Sequence, residues 1–558
     1  MPLRGEVRVL RRAQQRILRT GAAQSATLPV EDTNAYAQRP EVNSCNDAHL
    51  WLSARLRRPY PNRSGAVVAA QLEPPGILNF SGCAPGRLLT IMLKHIALVL
   101  CLSLSAHAQS VMYAHTLIEA EQQHGSSGTS IEPAGTPVPM LMASRGAWRL
   151  MLHANAFAAD TQQQARVSPG QAERGRDAFF STNWIMPMAQ RKLGAGQLTL
   201  RTMLSLEPAT VSRRNYPELF QQGETAFGKP IFDGQHPHDF VMELAALYDL
   251  PLGRSTLLSM YAAPVGDPAI GPTAYPHRQS ASEDPIAALG HHQEDSTHIA
   301  FNVVTGGLTY RWARVELSGF HGGEPNEHRW QLEPLPNGHA IDSVSTRLTV
   351  SPTPDLSGQY SIAHIASPEA LYPGEDQQRQ TASVMFHHIF RAGSASAAPT
   401  VGMDMTDMPG MDMGQPKAKS AAMPAMSMAA EPRTDLAATL LWGRTRSLRD
   451  NSKQNSYLAE ALLRFAGSNY AWTRLENAGR SNELLLTPGA ALPANFGETP
   501  IGHVAAYSFG YDHDIVLGMH VLAAPGVQFT AYQTPQALRA IYGATPTGEV
   551  FFVRFRLR

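Results

Sequence analysis

Two sets of side chains in this sequence have the chemistry to hold a metal ion. The first is a run of thioethers: Met403, Met405, Met408, Met411, Met413, Met423, Met426 and Met428 place eight methionines within 26 residues. Thioether sulfur is soft and favours Cu(I) over hard cations. Repeated Met-x-Met lets a flexible chain wrap several sulfurs around one ion, and a ligand with no proton to lose near neutral pH keeps working in acid. Asp404, Asp407 and Asp412, set among the methionines, suit Cu(II) or simply solubilise the segment. The second set is imidazole with carboxylate: His236 and His238 beside Asp239, then His277, His291, His292, Glu294, Asp295 and His298, with Glu283 and Asp284 close by. A third group follows at His321, Glu324, Glu327, His328 and His339. Neutral imidazole and carboxylate suit a divalent ion such as Zn, Cu(II), Ni or Fe.

Neither set carries a diagnostic spacing. No histidines stand in a His-Glu-x-x-His array, and no structural-zinc pattern is present. The histidines read equally as a hydrogen-bonded polar network that packs loops together, and the methionines as a plain linker. A hydrolase is a distinct reading, since Ser280, Ser282 and Ser296 lie among the histidines. There is no Gly-x-Ser-x-Gly elbow and no glycine-rich oxyanion loop, so no catalytic residue is assigned and an enzyme is not expected.

What must position these residues is an exported chain. Lys94, the apolar run Ile96–Leu104 and Ala106-His107-Ala108 give the three parts of a signal peptide over 92–108, with the mature chain starting at Gln109. The run is too short to span a bilayer as a helix. Residues 1–91 hold 12 arginines and 6 acidic residues without sustained periodicity, and read as a disordered leader or a start-site artefact. Cys45, Cys83 and Cys101 all precede Gln109, so the mature chain carries no thiol into an oxidising compartment. The whole chain is neutral, and with Lys94 and the leader set aside residues 109–558 carry a net charge of −7, which excludes a nucleic-acid binder.

Beyond Gln109 there is no long apolar block. Period-two alternation recurs instead over stretches of about ten residues, the signature of a membrane barrel whose side chains face lipid and lumen in turn. Leu198, Leu200, Leu204 and Leu206 oppose Gln197, Thr199, Arg201 and Ser205, while Val315 and Leu317 oppose Arg314, Glu316 and Ser318. Tyr457, Ala459, Ala461, Leu463 and Phe465 oppose Ser456, Glu460 and Arg464. At the chain end Phe551, Val553, Phe555 and Leu557 oppose Phe552, Arg554, Arg556 and Arg558. Three arginines on one face cannot face lipid, but they can face a wet lumen.

Such segments number about sixteen, starting near Gly146, Phe180, Gln197, Asp239, Ser255, Thr297, Arg314, Ser343, Ser357, Arg379, Leu436, Ser456, Asn469, Ile501, His520 and Val550. Links after odd-numbered strands read as long and those after even-numbered strands as short, which is the outside-versus-periplasm rule of barrels. The 447–455 link is counted with the long set, and the low-complexity 391–434 insert, which holds the thioethers, breaks the rule where a short turn is due.

Met/Asp-rich segments of this kind resemble those of copper-resistance B-type outer-membrane proteins of bacteria. In that family the Met-rich region precedes the barrel, whereas here it lies within it. Gly234-Gln-His-Pro-His-Asp239 and Gly290-His-His-Gln-Glu-Asp-Ser-Thr-His298 resemble a family of uncharacterised bacterial exported proteins, which implies no activity.

The reading is all-β: an antiparallel transmembrane β-barrel of about 16 strands over 146–558 in the bacterial outer membrane, preceded by a periplasmic arm at 109–145. Its function is passage or handling of small solutes, sharpened by the thioethers to copper or soft-metal tolerance. A general porin or structural outer-membrane protein is the alternative, and an outer-membrane hydrolase the second. The expected partners are outer-membrane lipid, copper ions or periplasmic metal-handling proteins.

Overall fold

The computed structural model describes residues 109–557 apart from 166–173, 212–214, 227, 296–299, 326, 331–340, 370, 391–433, 489, 491 and 494–495. Among the described residues sixteen long strands follow one another around a closed ring. They are β1 (Trp148–Gln164), β2 (Asp177–Leu193), β3 (Gly196–Leu204), β4 (Val241–Pro251), β5 (Thr256–Gly266), β6 (Ala300–Tyr310), β7 (Ala313–His321) and β8 (Ser343–Thr353), followed by β9 (Leu356–Ile365), β10 (Gln377–Phe390), β11 (Thr434–Ser447), β12 (Lys453–Phe465), β13 (Asn469–Ser481), β14 (Pro500–His513), β15 (Val521–Gln533) and β16 (Thr547–Leu557). Each pairs antiparallel with the next, and β16 returns to β1 with Thr547 opposite Gln164 and Arg556 opposite Asn155. Every expected start lies within three residues of an observed one.

The alternation in the sequence becomes the two surfaces of the wall. Arg314, Glu316 and Ser318 on β7 are buried toward the lumen, while Val315 and Leu317 between them are 56% and 61% exposed. Arg201 and Thr199 on β3 point inward and Leu200 outward. On β16, Arg554 is inside while Phe551 and Phe555 are outside; Phe552 joins the interior. The outer surface is therefore apolar, with Tyr310 and Trp312 exposed at a strand end as interface anchors. No helix among the described residues is long and apolar enough to cross a membrane. A closed sheet satisfies its backbone donors and acceptors internally, which is the condition for crossing hydrocarbon with strands.

Links at one end of the ring are short: 194–195, 252–255, 311–312, 354–355 and 466–468. At the other end they are long, notably 205–240, 267–299 and 482–499. One expected long link is not: β11 and β12 are joined by 448–452, because the strands run further than their alternation suggested. Phe390 and Thr434 face each other in register at the short-link end, and residues 391–433 between them lie outside the described residues.

The lumen is filled from both ends. From the short-link end enters the segment expected as a periplasmic arm: a strand Gln109–Met112, helix α1 (Leu117–Gln123) and a strand Val138–Arg145. Thr116 caps α1, its Oγ1 accepting from the Glu119 N–H, while the Glu119 carboxylate accepts from the N–H of His115, one residue before the cap. The stretch between α1 and Val138 is tied to the wall. Gly128 N–H donates to Glu243 at 2.9 Å, Arg314 donates to the Thr129 carbonyl at 2.8 Å, and His124 lies 2.7 Å from Asp249. Gly128 adopts a left-handed φ of 59°, and a side chain there would meet Asp267 at 2.7 Å, so only glycine fits this approach.

From the long-link end residues 267–295 cross to the opposite wall. Arg278 donates to Glu460 on β12 at 2.5 Å, Arg474 on β13 pairs with Asp284 at 2.9 Å, and the Leu289 N–H donates to Glu476 at 2.5 Å. Buried charges are tolerated only when so paired. Between arm and crossing segment lies a cavity of about 1010 Å³, lined among others by His153, Trp184, His277 and Arg201.

Candidate metal centre

The long 205–240 link folds over the lumen mouth and carries Glu224 on a short strand, Glu224–Ala226, paired with Lys229–Ile231. The crossing segment contributes a helical turn, α2 (His291–Glu294), which presents two histidines side by side with ring centroids 4.1 Å apart. The two links meet at Glu224. His292 Nε2 lies 2.7 Å and His236 Nε2 3.5 Å from Glu224 Oε1, and the His236 N–H donates to Oε2 at 2.9 Å. Gln235 also donates to Oε1, at 2.5 Å. Glu224, His291 and His292 offer ligand atoms that all lie within 4.8 Å of one another. His291 is fixed through Nδ1, 2.7 Å from the Ala288 carbonyl oxygen, the kind of contact that orients a ligating imidazole.

Burial sets the protonation states. The carboxyl of Glu224 is pushed up to about 7, by desolvation first and against the His236 N–H that stabilises its anion. His292 is pushed down to about 3, by burial and then by the nearby Arg379 and Arg480. His291 lies well below its ordinary value, through burial and the neighbouring His292. Both imidazoles are therefore neutral at physiological pH, the form that binds metals. Two imidazoles and one carboxylate form a nitrogen/oxygen donor set for Zn(II), Cu(II) or Ni(II), and a bound cation would displace the proton that burial forces on Glu224.

The approach from the long-link end is a small cavity of about 90 Å³, lined by His292 with Glu324, Glu369 and Glu498 and with Arg379 and Arg480. Burial raises Glu324 and Glu369 each to about 8.

The sequence-derived candidates divide. His236, His291 and His292 come together at Glu224. His238 belongs to an adjoining pair, its Nδ1 2.9 Å from Glu207 Oε2. Burial works against the charged imidazole there, but Glu207 prevails and raises its pKa. Asp239 is not with the histidines; it pairs with Arg329 at 2.9 Å. Glu294 faces β12, accepting from Ser456 at 2.6 Å, and Asp295 is buried near Arg278; burial raises each to about 7. Neither joins His291 and His292 at Glu224: Glu294 is taken by Ser456, and Asp295 caps the turn in extended backbone. His277 lies away from the centre, packed on Trp184 with centroids 4.3 Å apart. His298 and the eight methionines of 403–428 lie outside the described residues.

Glu224 and Glu207 were missed. Neither sits in a spacing with the histidines: Glu224 meets His292 only where two long links come together, and Glu207 meets His238 within its own link. Of the serines of the hydrolase reading, Ser280 bonds to Thr439 and Glu460 and Ser282 to Glu283, while Ser296 lies outside the described residues.

The chain is thus a closed sixteen-strand β-barrel with an apolar outer surface, its lumen occupied by its own arm and links, with a histidine–carboxylate cluster at the mouth. No family model matches the chain, and no curated protein matches it in sequence. Solved structures similar to it include an anion-selective porin from Comamonas acidovorans, at 10% identity over 73% of this chain and 99% of that one, with a TM-score of 0.41. Others are the outer-membrane channel DcaP of Acinetobacter baumannii (7% identity, 74% and 98% covered, TM-score 0.36) and Pseudomonas putida OprB (8%, 74% and 94%, 0.37).

Proposed function

We propose that this barrel passes small solutes across the outer membrane and that transition-metal cations are its cargo, with Glu224, His291 and His292 as the station at the mouth. The observation that carries the reading is the meeting of two neutral imidazoles with a buried carboxylate that holds a proton near neutral pH. Copper is the favoured ion, because Cu(II) suits this donor set and Cu(I) suits the thioethers of 403–428. A general porin is the alternative, and it would retain no metal.

The test is metal titration of the purified full-length protein in detergent with Cu(II), Zn(II) and Ni(II), beside Glu224→Gln and His292→Asn. The wild type should retain one divalent ion per chain, and each variant should bind it at least about tenfold more weakly. Equal binding by wild type and both variants would overturn the metal reading and leave a general porin.

A further inference from the structure

A second group of metal-competent side chains lies deeper, where the arm meets β1–β4. Of the nine buried residues in the apolar cluster there, six are methionines: Met140, Met151, Met186, Met188, Met203 and Met242. The other five buried clusters of the described residues contain no methionine. Methionine used as adaptable core filler would be scattered among them. Here it is segregated, and strand register aligns it. Met142 of the arm stands opposite Met151 on β1, Met151 opposite Met188 on β2, and His153 opposite Met186. Directly opposed residues have Cβ atoms about 5 Å apart, so neighbouring thioethers can converge on one ion.

Two imidazoles complete the group. His277 Nε2 lies 3.3 Å from Met203 Sδ, and both His153 and His277 pack on Trp184. The Nδ1 atoms of His153 and His277 are buried without a hydrogen-bond partner. Buried polar nitrogens are rarely left so, and here they border the large lumen cavity.

We infer that this wall binds a soft monovalent cation, Cu(I) or Ag(I), through Met203 and His277 together with thioethers of the Met151–Met186–Met188 group. Thioether and imidazole are soft and borderline donors that select such ions over Mg(II), Ca(II) or Na(I). Sulfur needs no deprotonation, so only the imidazole share of the binding depends on pH. The inference extends the metal-handling reading to a second class of ion, and the two fail separately.

The experiment is Ag(I) titration, redox-inert, of full-length protein and of a form lacking 402–429, followed by the methyl signals of ¹³C-methyl-methionine. Both forms should bind Ag(I) in the barrel, with the deletion keeping one ion per chain and several methyl signals shifting together. Met186→Leu with Met203→Leu keeps the packing volume and should leave the barrel folded. It should weaken Ag(I) in the deletion form by at least about tenfold. Met385→Leu, a buried methionine outside the cluster, should change nothing, and Glu224→Gln should keep Ag(I) while losing the divalent ion. A deletion form that binds no Ag(I), or a double-leucine form that binds it as tightly as its parent, overturns the inference while leaving the Glu224 centre untouched.

Discussion

Replacing Glu243 with glutamine should loosen the arm inside the barrel. Arg201 and Glu243 are each 1% exposed at the side chain and joined at 2.6 Å (Nε to Oε2) and 2.9 Å (Nη2 to Oε1). Glu243 Oε1 also accepts from the Gly128 N–H at 2.9 Å and the Tyr261 hydroxyl at 2.8 Å, so one carboxylate serves both wall and arm. Glutamine removes the charge and sets a donor against donors. Leaving one member of a buried pair uncompensated costs about 3–5 kcal/mol. The wall is locked into a sheet and cannot give, so relief comes by withdrawing the arm and letting water reach Arg201. At about 1.4 kcal/mol per tenfold, a 3 kcal/mol loss raises the withdrawn population by about a hundredfold. The chain has three cysteines, so with Cys45, Cys83 and Cys101 changed to serine, Ser126→Cys, at a buried arm position, reports withdrawal by its rate of maleimide labelling. Equal labelling rates with and without Glu243→Gln, in protein that retains its folded barrel, would refute the clamp.

Glu460→Gln should free the crossing segment in the same way, since Arg278, Ser280 and Arg474 all rely on Glu460; single-channel conductance should rise, and an unchanged trace would count against the crossing segment as the constriction. Acid should tighten the filled lumen. Burial lifts Glu132 and Glu294 from 4.5, and Asp295 from 3.8, to about 7, so the folded state takes up protons across that window and loses stability as pH rises through it. The urea midpoint for arm release, followed by Trp184 emission, should therefore fall from pH 5.5 to pH 8.5, and a rise would contradict the sign. Leu317→Arg, on the outer surface, should cost about 2–4 kcal/mol near the bilayer midplane and impair folding into lipid vesicles. Normal folding would show that Leu317 does not face lipid.

The wall was legible because strand alternation is a local signal: a lipid-facing Leu317 and a lumen-facing Arg314 declare their sides within four residues. Link lengths gave a second, independent signal and failed only at 448–452, where charged and polar residues continue as strand beyond the membrane. The mouth centre was half legible. His236, His291 and His292 stand out by type, but Glu224 joins them only because two long links fold inward, and no spacing encodes that meeting. The methionine wall left a faint trace in Met140-Leu-Met142 and Met186-Pro-Met188, where period two puts both sulfurs on one side. The thioether run at 403–428 drew attention away from it. The inward path of the arm left no trace, because helix caps and glycines look the same inside a barrel as on a soluble surface.

The seam between first and last strands is shared. β16 covers the edge of β1 from Asn155 to Gln164, and the arm strand covers Trp148 to Leu152. That division ties the order of assembly to the contents of the lumen. Bringing together strands so far apart in the sequence is the slowest pairing the barrel must make. Until it happens, the arm shields part of an edge that would otherwise invite wrong partners. An arm already bonded to β1 is wrapped by the sheet as the ring shuts, so closure and plugging become one event. A lesion in Val138–Arg145 would then appear first as slow or failed insertion, before it appeared as a leak.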